Sequence, residues 1–220
     1  MIELPDFSKA FDYENNFYLS CDVQRISKVI AHYELFKMTK DLPGSIVECG
    51  VFKGTSLIRF AIFRDMFGTA MGKKIIGFDV FGPFPKPKFK KDKKFREQFI
   101  SDAGLESISE EQLMKVLKHK NLDGNVELVK GNICDTLPKY VKEHEELKIS
   151  LLNLDTDAYD PAVVILENLW PRVVKGGVMI SDDYGIFPGE NQAIDDYFKD
   201  KNVKIKKFPY CKSASYIVKE

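Results

Sequence analysis

The chain has 220 residues, 44% of them hydrophobic, and its 33 basic residues are balanced by 33 acidic ones. This composition is typical of a globular protein and excludes a disordered one, and the charge balance predicts neither a nucleic-acid nor a membrane partner. The longest apolar runs, such as residues 149–154, are too short to span a bilayer. The N-terminus lacks a basic region followed by an apolar stretch, and the four cysteines form no CxxC pair. We therefore expect a reduced, cytoplasmic protein.

Helical patterns alternate with short apolar runs along the chain. The runs predict strands at 45–49, 73–79, 126–130, 149–155 and 177–181. The predicted helices cover about 24–39, 55–67, 107–119, 135–143, 161–173 and 190–199. Near the end, 203–208 and 213–218 are interpreted as two strands joined by a turn. This order predicts an α/β fold: a doubly wound, mostly parallel seven-stranded sheet with a C-terminal antiparallel hairpin. Residues 1–220 are expected to form one domain with a helical segment at 1–43.

One segment, about 81–104, does not follow this alternation. Its first part, Phe81 to Phe99, contains three prolines and six lysines. Such a charge run usually denotes a solvated surface loop. However, it follows the carboxyl end of a predicted strand, where α/β folds have the loops that cover ligands. We therefore predict a substrate lid, and residues 81–104 are called the lid segment below.

The first predicted strand ends in an acidic residue followed by two glycines, Glu48, Gly50 and Gly54. Glycines permit a tight turn whose backbone lies close to a ligand, although such turns often use glycine for structural reasons alone. A dinucleotide site would show G-x-G-x-x-G, with free amides for a pyrophosphate. The acidic residue instead suits the cationic aminoacyl end of a ligand.

The second predicted strand also ends in an acidic residue, Asp79. A carboxylate at this point can accept hydrogen bonds from both hydroxyls of a ribose. It can equally serve as a turn or helix-cap residue. In combination with the first turn, Asp79 favours a ligand that contains adenosine.

Four more acidic residues follow two later strands, Asp155 and Asp157 after the fourth and Asp182 and Asp183 after the fifth. If these strands are neighbours, the carboxylates meet at one edge of the sheet. They would repel each other unless they are protonated, solvated or bound to a cation. Mg²⁺ prefers oxygen ligands and leaves positions open for a substrate hydroxyl. The alternative is that some of these residues cap helices, and Asp157 is the clearest candidate for a cap.

Several motifs together resemble the macrocin O-methyltransferase family over about residues 20–200. They are Ile46 to Gly54, Asp135 to Pro138, Leu154 to Tyr159, Glu167 to Pro171, Gly176-Gly177 and Asp182 to Tyr184. The resemblance implies a Rossmann-like class I methyltransferase fold, S-adenosyl-L-methionine as methyl donor, Mg²⁺ or Mn²⁺, and a sugar hydroxyl as acceptor.

The resemblance also implies roles for particular residues. The cofactor-binding set is Glu48, Gly50, Val51, Phe52, Gly54, Thr55, Ser56, Asp79, Val80, Phe81, Gly131, Asn132, Ile133 and Asp155. The implied metal ligands are Asp155, Asp182 and Asp183. From the chemistry of the reaction, we assign Asp155 and Asp157 as the catalytic residues, with Asp157 one candidate for the base. The lysine-rich lid departs from the family's usual acidic loop. Two kinds of acceptor therefore stay open, a neutral sugar and a sugar that is phosphorylated or nucleotide-linked. A homo-oligomer is expected.

The expected reaction is methyl transfer to a hydroxyl, with the metal lowering the pKa of that hydroxyl and orienting it. Two other classes of protein stay open. The first is a nicotinamide-dependent oxidoreductase, although the third glycine of its turn is absent. The second is a catalytically silent protein that binds S-adenosyl-L-methionine, although such a protein would not need the acidic residues.

Overall fold

The computed structural model describes residues 2–68 and 72–220. Its strands are β1 (Ser45–Cys49), β2 (Ile75–Asp79), β3 (Val126–Lys130), β4 (Ile149–Leu154), β5 (Val173–Ser181), β6 (Lys206–Lys207) and β7 (Ser215–Val218). Its α-helices are α1 (Ala10–Ser20), α2 (Val23–Thr39), α3 (Thr55–Met66), α4 (Asp92–Ala103), α5 (Glu110–His119), α6 (Ile133–Glu143), α7 (Tyr159–Leu169) and α8 (Pro188–Phe198). Two short 3-10 turns cover Phe7–Lys9 and Trp170–Arg172. No helix among the described residues is both long and apolar enough to cross a membrane.

The strands form one seven-stranded sheet in the order β3-β2-β1-β4-β5-β7-β6. Strands β1 to β5 are parallel, whereas β7 runs antiparallel to both β5 and β6. The order reverses between β1 and β4, which is the switch point where open α/β sheets bind ligands. The predicted doubly wound sheet with a C-terminal antiparallel hairpin is confirmed.

Helices cover both faces of the sheet, so the central strands β1, β2 and β4 are buried on both sides. On one face, side chains such as Val47 and Leu152 pack against Leu166 of α7 and the neighbouring helices. On the other, Ile46 and Leu151 belong to the cluster that contains residues of α2, α3 and α5. This double burial explains why the central strands β2 and β4 are largely apolar instead of alternating.

Several element boundaries differ from the prediction for local chemical reasons. Helix α5 begins only at Glu110, because Ser109 and Gln112 form a capping box. Helix α7 ends at Leu169 and not near residue 173, because Pro171 cannot continue it. Strand β5 therefore begins at Val173, well before the predicted start, and continues through the two glycines at 176 and 177.

The lid segment contains the regular helix α4, which the sequence analysis interpreted as a loop. Its lysines are exposed, but Asp92 at its first position is 1% exposed. Phe99 of α4 packs against Phe52, Phe84 and Phe187. The helix therefore forms because a few of its residues dock on the body of the protein, a tertiary effect that local composition does not reveal.

At the switch point, the loops after β1 and β4 touch each other. Gly50 has a φ of +92°, and a Cβ atom there would lie 1.8 Å from the carbonyl oxygen of Asp155. Only glycine combines this backbone conformation with such a close approach. The backbone of the turn after β1 therefore lies directly against the backbone at the acidic end of β4.

Candidate functional site

A cavity of about 270 Å³ lies at the carboxyl edge of the sheet, beneath the lid segment. Its walls come from the loops after β1, β2, β3 and β4. The predicted site residues that line it are Gly50, Phe52, Asp79, Val80, Asn132, Ile133, Asp155 and Asp157. The predicted residues Glu48, Val51, Gly54, Thr55, Ser56, Phe81, Gly131, Asp182 and Asp183 are not among the lining residues. The structure thus separates the predicted set into residues that face the cavity and residues around them.

Asp79 lines the cavity and also organises the loops around it. Its Oδ2 accepts hydrogen bonds from the amides of Val51 at 2.8 Å and Phe52 at 3.0 Å, and its Oδ1 accepts one from Phe81 at 2.7 Å. Phe52 and Phe81 both have a φ of +48°, a left-handed conformation that is uncommon for such residues. Burial raises the pKa of Asp79, although these amide hydrogen bonds favour its charged form. The carboxylate therefore ties the β1 loop to the β2 loop.

Glu48 is fully buried beneath the β1 turn and has no exposed surface. One of its oxygens, Oε1, accepts hydrogen bonds from Ser56 Oγ and from Asn153 Nδ2. The other, Oε2, has no hydrogen-bond partner among the described residues. Burial raises its pKa to about 8. Burial thus favours the protonated form of Glu48, which lies behind the cavity wall.

Three of the acidic residues converge at the ends of β4 and β5. One carboxylate oxygen from each of Asp155, Asp157 and Asp183 lies within 4.8 Å of the others. Burial, followed by the charge of neighbouring carboxylates, raises the pKa of both Asp155 and Asp157. Asp157 Oδ1 is buried and has no hydrogen-bond partner in the described part of the chain. Such an arrangement has the oxygen donors and the excess negative charge that a divalent cation requires.

Asp182 contacts two residues of α2. It forms an ion pair with Lys28, whose Nζ also lies 3.6 Å from Asp183 Oδ1, and it accepts a hydrogen bond from His32 Nε2 at 2.8 Å. Burial opposes its charge, but these two partners outweigh it and hold the pKa of Asp182 below its usual range. His32 Nδ1 lies 3.0 Å from an Arg59 nitrogen, which can only donate, so Nε2 carries the ring proton. Burial, the largest cause, lowers the pKa of His32 and favours this neutral form.

These partners of Asp182 were not predicted from the sequence. Lys28 and His32 are four residues apart on α2, so they lie on the same face of the helix. That spacing is a signal of a shared polar contact on one face of the helix. It could not reveal which carboxylate the two residues contact, because Asp182 lies 150 residues further along the chain than His32.

The lid segment contributes basic residues to the cavity, but not all of its lysines. Lys86, Lys88 and Arg96 line the cavity. Arg96 also donates to the carbonyl oxygens of Phe84 at 2.5 Å and Pro85 at 2.7 Å, which holds it against the lid backbone. The other lysines of the lid, Lys90, Lys91, Lys93 and Lys94, are exposed and are not lining residues.

The doubly wound sheet, its antiparallel hairpin and the cavity at the switch point define the class I methyltransferase fold. A solved structure of the calicheamicin methyltransferase CalS11 has this fold. It is 23% identical to this chain, covers 93% of it and 83% of its own length, and superposes with a TM-score of 0.72. At 23% identity, this similarity supports the fold of the chain and not its activity.

The family model for macrocin O-methyltransferase (TylF) matches residues 21–208, and the chain belongs to this family. A relative from Streptomyces olivaceus, 8-demethyl-8-(2,3-dimethoxy-alpha-L-rhamnosyl)-tetracenomycin-C 4'-O-methyltransferase, is 30% identical over 159 residues, 71% of this chain and 58% of that protein. Demethyldecarbamoylnovobiocin O-methyltransferase from Streptomyces niveus is 27% identical over 163 residues, 71% of this chain and 59% of that protein. The chain therefore spans less than two thirds of the length of these curated relatives.

Proposed function

We propose that the protein is an S-adenosyl-L-methionine-dependent O-methyltransferase that methylates a hydroxyl of a sugar or of a sugar-containing metabolite. Family membership and the names of the relatives support the reaction type. The observation that carries the proposal is that one cavity is lined both by Asp79 and Asn132, from the loops after β2 and β3, and by Asp155 and Asp157, from the loop after β4. Donor and acceptor would meet between these two sides.

The cofactor would occupy the part of the cavity between the loops after β1, β2 and β3. Asp79, Val80, Asn132 and Ile133 would surround its adenosine, because they follow the two strands beyond the switch point. Gly50 and its loop would lie along the aminoacyl part. The predicted residues behind the wall, including Glu48 and Ser56, would act by shaping this loop.

A divalent cation, Mg²⁺ or Mn²⁺, is the second part of the proposal. Asp155 and Asp183 belong both to the family-derived set and to the converging set. The family resemblance adds Asp182, whereas the geometry adds Asp157, whose Oδ1 lacks a partner among the described residues. When bound, the cation would lower the pKa of the acceptor hydroxyl and orient it. Asp157, which lines the cavity, is one candidate for receiving its proton if it does not bind the cation, and the base is otherwise unassigned.

The acceptor is proposed to carry a phosphate or diphosphate, as a nucleotide-linked sugar does. Lys86, Lys88 and Arg96 line the cavity, and cationic donors form strong, charge-assisted hydrogen bonds with phosphate oxygens. Three cationic groups would contribute little to binding a neutral acceptor. A neutral sugar is the alternative, in which case the lysines face water.

Two further proposals concern the setting of the protein. Its four free cysteines fit a reducing compartment, and we propose the cytoplasm.

We also propose a homo-oligomer, because α1 buries none of its residues and exposes Phe11 and Leu19, a surface that a second copy would cover. Light scattering coupled to size exclusion tests the second proposal, and a monomer at micromolar concentration would contradict it.

The function is tested by comparing ligands in calorimetry and then measuring transfer. S-adenosylhomocysteine should bind and NAD⁺ should not. With S-adenosyl-L-methionine and a panel of sugar nucleotides and glycosides, mass spectrometry should show one added methyl group on the acceptor hydroxyl. Binding of NAD⁺ alone would indicate the oxidoreductase class. Cofactor binding without transfer to any acceptor would indicate a catalytically silent protein.

A further inference from the structure

Lys28, on α2, brings a positive charge to the acidic cluster that Asp155, Asp157, Asp182 and Asp183 form at the ends of β4 and β5. Its side chain is 15% exposed. Its Nζ forms an ion pair with Asp182 Oδ2 and lies 3.6 Å from Asp183 Oδ1. One ammonium group thus contacts both of the consecutive carboxylates that follow β5.

This contact differs from an ordinary surface ion pair, which contributes little to stability. Burial opposes the charge of Lys28, but the charges of Asp182, Asp155 and Asp183 outweigh burial and raise its pKa. Carboxylates from the ends of both β4 and β5 therefore act on the same ammonium group. Lys28 is the counter-charge of the cluster, the part that a bound metal ion would otherwise play.

The two oxygens of Asp182 have partners of different kinds. Oδ1 accepts the hydrogen bond from His32 Nε2, whereas Oδ2 is the oxygen that contacts Lys28. The His32 ring is fully buried, and its Nδ1 lies 3.0 Å from an Arg59 nitrogen, so it is fixed from both sides. A lysine ammonium stands on a flexible four-carbon chain, and Lys28 keeps some access to water. Of the two partners, Lys28 is therefore the one that can move away without disturbing the fold.

We propose that Lys28 is a tethered cation that competes with the divalent cation for the acidic cluster and thereby sets its affinity. The inference rests on the proposed cation site and deepens it. It holds for either set of ligands, because Asp183 belongs both to the family-derived set and to the three converging carboxylates.

The competition follows from the charges. A cation bound by Asp183 would share this carboxylate with the Lys28 ammonium, and like charges repel more strongly where water is partly excluded. Lys28 therefore has to withdraw from Asp183 before the site is fully open. The apparent affinity for the cation then falls in proportion to the fraction of molecules in which Lys28 has withdrawn.

The test measures Mn²⁺ binding by electron paramagnetic resonance, without cofactor or acceptor. Lys28→Met removes the charge and keeps an unbranched side chain, so it should tighten Mn²⁺ binding by about tenfold or more. Lys28→Arg keeps the charge and should stay within about threefold of wild type. Lys37→Met makes the same change at an exposed position of the same helix, and this matched control should not alter Mn²⁺ affinity.

Thermal melts give a second measurement that does not depend on activity. Without a cation, Lys28→Met should melt at a lower temperature than wild type, because Asp182 loses the partner of its Oδ2. Added Mn²⁺ should then raise the melting temperature of Lys28→Met more than that of wild type. If Lys28→Met does not fold, Lys28→Gln gives the same comparison, since it is neutral but can still donate a hydrogen bond to Asp182.

A lysine that only stabilises the fold would give the opposite result. Mn²⁺ affinity in Lys28→Met that equals that of wild type, or is weaker, would overturn the inference and leave the cation site standing. Equal tightening in Lys28→Arg and Lys28→Met would also overturn it, because the effect would then not come from the charge. If neither wild type nor Lys28→Met binds Mn²⁺, the cation site and this inference both fail. Binding of S-adenosylhomocysteine and methyl transfer, measured separately, then still test the proposed function.

Discussion

Asp92, the first residue of the lid helix α4, accepts a hydrogen bond from the backbone amide of Tyr159, the first residue of α7, at 2.9 Å. The amide of Gly189, in the first turn of α8, also stabilises this carboxylate. Anions are favoured at helix N-termini, so one buried side chain fastens the lid to two helices at once. These helices follow β4 and β5, whose ends carry the acidic cluster. Asp92 thus links the lid segment to the two helices that follow the acidic loops.

The first prediction concerns this fastening. A Cβ atom at position 189 would lie 2.1 Å from Asp92 Oδ2, so Gly189→Ala should displace the carboxylate and loosen the lid. We expect trypsin to cleave at the exposed lid lysines, such as Lys90 and Lys93, several times faster than in wild type. Gly124→Ala is the matched control, because a Cβ atom there meets nothing within 4 Å. Equal cleavage rates in wild type and Gly189→Ala would show that Asp92 does not hold the lid closed.

The second prediction concerns the cofactor. Asp79→Ala should weaken S-adenosylhomocysteine binding by about 1.5–3 kcal/mol, the scale of losing hydrogen bonds to a charged acceptor. It should also lower the melting temperature without ligand, because three backbone amides lose their partner. Calorimetry and thermal melts measure the two effects separately. Unchanged affinity for S-adenosylhomocysteine in this variant would remove Asp79 from the cofactor site.

The third prediction distinguishes the two possible sets of metal ligands. Asp155→Asn and Asp183→Asn should both abolish Mn²⁺ binding and methyl transfer, and a chelator should abolish transfer reversibly. Asp157→Asn should weaken Mn²⁺ binding, because it removes one of the three converging carboxylates. Asp182→Asn should leave Mn²⁺ affinity nearly unchanged and lower the melting temperature, because it deprives the partly buried Lys28 of its main partner.

The outcome that contradicts this ligand set is specific. If Asp182→Asn loses Mn²⁺ as completely as Asp155→Asn, then Asp182 is a ligand, as the family resemblance implies. Lys28 would then have to release Asp182 when the cation binds. Full methyl transfer in the presence of chelator would reject metal assistance altogether.

The fourth prediction concerns the acceptor. Changing both Lys86 and Lys88 to Gln should raise the KM for a nucleotide-linked sugar about tenfold and flatten its dependence on salt, because two cavity-lining charges are lost. The matched control changes Lys90 and Lys94 to Gln, which removes the same charge from exposed positions. Affinity for S-adenosylhomocysteine should not change in either variant. An equal KM in both variants and wild type would show that the acceptor carries no phosphate that the lid contacts.

The fifth prediction is a pH dependence of stability. Burial raises the pKa of Glu48 from an ordinary 4.5 to about 8, so the folded state favours the protonated acid. This stabilisation is complete below about pH 4.5 and is lost as the pH rises through 8. Glu48→Gln mimics the protonated acid and does not titrate. The melting temperature of this variant relative to wild type should therefore increase between about pH 5 and pH 8 and then level off. A constant difference would show that Glu48 stays charged.

Much of the fold was predictable because it depends on local patterns. Strands β1 and β3 begin and end at the predicted residues, since each is a short segment rich in β-branched and apolar residues that is bounded by turn-forming residues. The parallel order followed from the alternation of strands and helices. Helix α4 was not predictable, because its sequence is rich in lysine and it forms by docking Asp92 and Phe99 on the body of the protein.

The sequence by itself determined which acidic residues end the strands, and in a parallel sheet those ends meet at one edge. Only the tertiary structure decided what each carboxylate does there. Glu48 and Asp79 both end a strand region, yet the first is sealed beneath a turn and the second lines the cavity. Asp182 pairs with Lys28 because α2 packs across the end of β5. Such contacts join residues far apart in the chain, so their chemistry depends on how helices pack and not on any local pattern.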